Sequence, residues 1–134
     1  MTTKKYILAT IAAFFLSNIL TTMWYMGADE ANMVSFRRPE VNYLGLMANH
    51  LIYAGLFVYF FPFFFQSRPV VSRSLVYGIL MSAMMFIPSA LVVRSIWTVD
   101  FNGIFVLNTI AHLVIGAIMG SAVALIYNSG KSAK

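Results

Sequence analysis

The chain has two histidines, and both lie inside long apolar runs: "NHLIYAGL" at 49–56 and "AHLVIGAI" at 111–118. The frames match. Each histidine is followed by Leu, then a β-branched residue, and shortly by an Ala/Gly pair. A neutral imidazole can accept a hydrogen bond, donate one, ligate a metal or titrate near neutral pH. Asparagines and serines recur at comparable places along the apolar runs: Asn18, Asn49, Ser89 and Asn108. Their spacing defines three chemistries for His50 and His112. The first is structural: hydrogen bonds between helices, each worth about 0.6 kcal/mol in a membrane. The second is ligand or proton transfer, because ionisable groups inside a membrane mark pathways. The third is axial ligation of a b-type haem by the two imidazoles. Met47, Met81, Met84, Met85 and Met119 add a fourth option, soft thioether ligands for copper(I).

These side chains need elements to hold them, and composition says which solvent those elements face. Of 134 residues, 60% are hydrophobic and 10% charged, against roughly 25% charged in an ordinary soluble domain. Lipid is the fitting solvent. The chain has no cysteine, which excludes disulfides, cysteine-held iron–sulfur clusters and thiolate zinc sites. The net charge of +5 does not point to nucleic acid, because the basic residues form no patch interleaved with aromatics. They gather at the ends of apolar runs, as membrane topology requires.

Four apolar segments are long enough to cross a bilayer, which takes about 20 residues of helix. They cover 6–26, 43–65, 74–96 and 104–127. "GADEANMVSFRRPEVN", "QSRPVVSR" and "WTVDFNG" separate them. Backbone polar groups in hydrocarbon must bond within the segment, so the spans should be helices. The first lacks a small-residue cleavage site and reads as a retained anchor. Lys4, Lys5, Arg68, Arg73, Lys131 and Lys134 fall on one side of alternating spans. Arg37, Arg38 and Arg94 fall on the other, with the four acids Asp29, Glu30, Glu40 and Asp100. The positive-inside rule then places both termini in the cytoplasm and loops 27–42 and 97–103 outside.

Lipid gives helices no hydrophobic reason to associate, so small residues mark their contact faces. Ala9, Ala13, Ser17 and Thr21 form such a stripe on the first span. Asn108, His112, Gly116, Gly120 and Ala124 form one on the fourth. Gly78, Ser82 and Ser89 serve the third less regularly, and Gly45, Ala48, Gly55 and the adjacent pair Asn49/His50 the second. Pro88 should kink the third span and free a carbonyl near Met84. At about 1.5 Å per residue, His50 lies about 10 Å below Tyr43 and His112 about 12 Å below Ile104. Asn18 falls about 12 Å below Met26. One polar layer is expected: Asn18, Asn49, His50, Ser89, Asn108 and His112, all turned inward. At the outer boundary Arg94, Trp97, Asp100 and Glu40 could shape a ligand-facing surface, with Arg94 snorkelling to the interface.

"LNTIAHLVIGAIMG" in the last span, with Trp24-Tyr25 closing the first, resembles a family of small bacterial four-helix membrane proteins of unknown function. The resemblance implies a four-span fold and carries no activity. The expectation is therefore a single all-α domain over 1–134: an integral-membrane antiparallel four-helix bundle of the bacterial inner membrane, both termini cytoplasmic. No nucleophile–base–acid arrangement appears, so the role expected is noncatalytic: a scaffold, an accessory subunit or a small binding protein without a cofactor. Its partners are the bilayer and, as open alternatives, further copies of itself or a larger membrane complex, with no nucleic acid. A small-solute or proton-linked transporter is the first alternative, and a bis-histidine haem b electron-transfer protein the second.

Overall fold

The computed structural model describes residues 2–30, 42–65, 69, 71–96 and 102–129; for 29, 30, 90, 93–96 and 102–104 the backbone alone is described. Four α-helices account for nearly all of it: α1 (Thr3–Glu30), α2 (Tyr43–Phe60), α3 (Val71–Ile96) and α4 (Asn102–Asn128). A short 3-10 turn, Phe61–Phe64, continues α2. No strand occurs among the described residues. Each helix carries a stretch long and apolar enough to cross a membrane: Thr3–Ala28, Tyr43–Phe64, Val71–Ser89 and Phe105–Asn128. By length and composition these make a multi-pass membrane protein.

Local chemistry explains the helix ends. Asn42 caps α2, its side-chain oxygen accepting from the Gly45 amide at 2.9 Å, so one of the four orphan N–H groups is satisfied. Pro62 stands at the start of the 3-10 turn and offers no N–H to prolong the α-helix. Pro88 lies inside α3 without ending it. Helices α1, α3 and α4 run a few residues beyond the limits expected from hydropathy, because backbone hydrogen bonding continues after the apolar run has stopped.

Residue numbers run in opposite senses across the contacts between successive helices and between α1 and α4. Lys5 Nζ donates to the Tyr127 carbonyl at 3.0 Å and also to that of Ser129. Further along the same pair, the Trp24 indole donates to Asn108 Oδ1 at 2.7 Å. Tyr6 and Ser17 of α1 meet Gly55 and His50 of α2, and Tyr53 and Phe57 of α2 meet Ser82 and Tyr77 of α3. The end that carries Lys5, Pro69 and Asn128 is the near end below, and the end that carries Trp24, Tyr43 and Asn108 the far end.

The pairing differs in kind from place to place. Helices α3 and α4 touch backbone to backbone. A Cβ added at Gly78 would fall on the Gly116 carbonyl, one at Gly116 on Ser82 Oγ, and one at Gly120 on the Ser74 carbonyl. Helices α2 and α3 stand further apart and are bridged by rings. Tyr77 meets Phe57, Phe61 and Phe64 edge-on, with centroids 5.0, 5.1 and 4.9 Å away. Its hydroxyl donates to the Phe57 carbonyl. These aromatics fill the near half. The stripe Ala9, Ala13, Ser17 and Thr21 is buried, as expected. On α2 the expectation holds for His50 alone: Gly45, Ala48 and Asn49 are exposed, and a Cβ on Gly55 would meet nothing within 4 Å. The buried stripe there is His50, Ala54, Phe57 and Val58. Meanwhile Ile7, Ile11, Phe15, Leu44 and Met84 are exposed. Small and polar groups at the helix contacts, within an apolar outer shell, are the arrangement lipid selects.

Candidate functional site

In the far half, between the small-residue contacts and the aromatic fill, the four helices leave a cavity of about 270 Å³. Its inner wall is made of buried Ser17, Thr21, His50, Ser82 and Ile115, and its rim of exposed Tyr25, Asn49, Met85 and Ser89. Toward the near end it is closed. Tyr53 Oη and Ser82 Oγ lie 2.6 Å apart across it, and beneath them Phe57, Tyr77, Met81 and Met119 are buried.

Both histidines line this cavity. They come from α2 and α4, whose separation is spanned by α1 on one side and α3 on the other. Each ring is fixed through Nδ1. His112 Nδ1 lies 2.8 Å from the Asn108 carbonyl, one turn earlier on its own helix. A carbonyl only accepts, so Nδ1 carries the proton. His50 Nδ1 lies 3.1 Å from Ser17 Oγ, and that hydroxyl donates to the Phe14 carbonyl at 3.0 Å. Having spent its one proton, Ser17 accepts, and His50 Nδ1 is the donor. The hydrogen-bond network thus assigns the same tautomer to both neutral rings, each with a lone pair on Nε2.

The Nε2 atoms have room. Among the described residues, the buried side-chain nitrogens and oxygens without a hydrogen-bond partner are Thr10 Oγ1 and Asn18 Oδ1. Neither Nε2 is one of them, and neither makes a hydrogen bond, so both keep accessible surface. Phe86 stacks on His112 with centroids 4.2 Å apart and planes 17° from parallel, and Tyr25 approaches the same ring edge-on at 6.3 Å. The His112 plane is held on two sides.

The other members of the expected polar layer are distributed unevenly. Asn108 does not line the cavity; its Oδ1 binds Trp24 and its carbonyl orients His112. Asn49 and Ser89 line the cavity but are exposed, not turned inward. Asn49 is 100° around α2 from His50, and the buried stripe claims the histidine's side. Ser89 Oγ donates to the carbonyls of Met85 and Phe86, both at 2.9 Å. Asn18 is buried away from the cavity and donates to the Phe14 carbonyl at 3.0 Å; the i, i+4 stripe of α1 delivers Ser17 and Thr21 instead. Of the methionines considered as copper ligands, Met85 alone lines the cavity. Tyr53 and Tyr25 were not foreseen, since an aromatic at helical spacing looks like packing. Trp97, Asp100 and Glu40 lie outside the described residues, and Arg94 is described only as part of the α3 backbone.

Chemically the described lining is neutral: two imidazoles, hydroxyls, a carboxamide and a thioether, with no carboxylate, lysine or arginine among the described residues. Its volume falls just below the range of small-molecule sites, ~300–1,000 Å³, and favours a ligand smaller than a porphyrin. No family model matches the chain, and neither a curated protein nor a solved structure does.

Proposed function

We propose that this is a noncatalytic, multi-pass protein of the bacterial inner membrane. In this reading it is a single antiparallel four-helix bundle with both termini cytoplasmic, and it binds a small ligand in a cavity entered from the outer side. One observation carries the reading: the two histidines, each fixed through Nδ1, line one hollow that has exposed residues at its rim and the Tyr53–Ser82 contact and aromatic packing beneath. The charge pattern supports the orientation. Lys4, Lys5 and Arg73 stand at the near end, which the positive-inside rule assigns to the cytoplasm. The absence of cysteine from the sequence gives a clean test. Thr21→Cys should react with a membrane-impermeant thiol reagent applied from the outside and be inert from the cytoplasmic side. Met119→Cys, buried below the floor, should be inert from both. Labelling of Thr21→Cys from both sides would replace the binding reading with an alternating-access transporter, and no labelling from either side would remove the aqueous cavity.

A further inference from the structure

We propose that the cavity holds a single copper(I) ion, ligated by Nε2 of His50, Nε2 of His112 and the thioether of Met85. This deepens the binding reading above and rests on it. Three independent features converge. The first is the support behind each imidazole. Metal-bound histidines almost always donate their second ring N–H to an oxygen behind them, which fixes the tautomer and raises the basicity of the ligating nitrogen. Both rings do so here, His50 to Ser17 Oγ and His112 to the Asn108 carbonyl. Both rings line one hollow, and neither Nε2 is among the sealed, unpartnered polar atoms of the described residues.

The second feature is the donor set. Thioether sulfur selects copper(I), and imidazole serves copper well. Met85 is the methionine that lines the cavity, and its three rotatable bonds let the sulfur swing toward the rings. Structural zinc needs four ligands and catalytic zinc three from the protein, yet no group of three His, Cys, Asp or Glu gathers among the described residues. The third feature is charge. A cation in a low-dielectric site must recover its hydration energy from its ligands, and that cost scales with the square of the charge. Among the described residues the donors that line this site are neutral, a set that suits a monovalent soft ion.

The test is an anaerobic titration of the full-length protein in lipid nanodiscs with copper(I) itself, against a chromogenic copper(I) chelator. One ion per chain should bind. His50→Ala, His112→Ala and Met85→Leu should each weaken binding by about tenfold or more, and Ser17→Ala, which removes only the support behind His50, by about 10–100-fold. Met84→Leu, on the exposed side of α3, should leave affinity unchanged. X-ray absorption on the unsubstituted protein should show imidazole and sulfur scattering, a readout that needs no variant to fold. Loss of the sulfur signal in Met85→Leu would support the assignment. Substoichiometric binding, affinity that survives either histidine substitution or Met85→Leu, or tighter retention of zinc(II) would overturn it. If copper fails while Thr21→Cys still labels from one side only, the ion is wrong and the cavity reading stands; if the labelling fails as well, both fall.

Discussion

Asn108 does two jobs with one residue: its side-chain oxygen accepts from the Trp24 indole and its carbonyl holds His112 Nδ1. The first bond ties α1 to α4 near the far end, and the second sets the tautomer of a ring already stacked on Phe86. Replacing Trp24 by Phe keeps a ring but removes the donor. It should lower stability by about 0.6–1.7 kcal/mol, the span measured for polar contacts between membrane helices, in reversible unfolding from mixed micelles. His50 depends on a different kind of support. Its partner Ser17 is committed to the Phe14 carbonyl, so Ser17→Ala should free the His50 ring without unpacking α1. Threonine at that position should restore the tautomer, because it also has a hydroxyl that can bond back one turn.

At the scale of elements, two ways of joining helices coexist, and they respond differently to substitution. Between α3 and α4 the glycines let backbones touch, and a methyl on Gly116 has nowhere to go but into Ser82 and the Gly78 carbonyl. Gly116→Ala should cost about 1–3 kcal/mol, as overpacking does. Gly55→Ala, where a Cβ meets nothing, should be neutral or stabilising by about 0.5–1 kcal/mol through helix propensity. Equal effects in the same unfolding assay would contradict the close approach. Between α2 and α3, rings keep the backbones apart, and that separation leaves the hollow in the far half, where no ring takes the place that Tyr77 fills in the near half. The site is the consequence of one tight pair and one loose pair in the same molecule.

At the scale of the whole molecule, the Lys5 ammonium reaches the carbonyls of Tyr127 and Ser129, at the end of α4 where the helix dipole is negative. The beginning and the end of the described chain are thereby held on one face. In the proposed orientation, a green fluorescent fusion at the C-terminus should be bright and an alkaline phosphatase fusion there inactive. The reverse pattern would invert the orientation and turn the cavity's rim to the cytoplasm. The haem alternative has its own whole-molecule check: protein purified after expression with ample haem should show no Soret absorbance.

Much of this was legible in the residues. Hydropathy and the need to satisfy backbone groups in lipid make four helices close to obligatory, and the i, i+4 small residues on α1 and α4 mark faces that are buried in the structure. Counting residues from the span ends also predicts similar heights for His50 and His112, since a helix converts residue count into height, and both line one cavity. What the chain's order could not fix is rotation. Asn18 and Asn49 share the depth of the layer, yet a turn of 100° about a helix axis sends one away from the cavity and the other to its rim. That angle is set by which stripe packs against which neighbour, a contest settled only when all four helices are in place. The sequence by itself determined solvent, element type and height. The tertiary structure alone decided facing, the tautomers and the existence of a cavity, because each of these depends on contacts between residues that are remote along the chain.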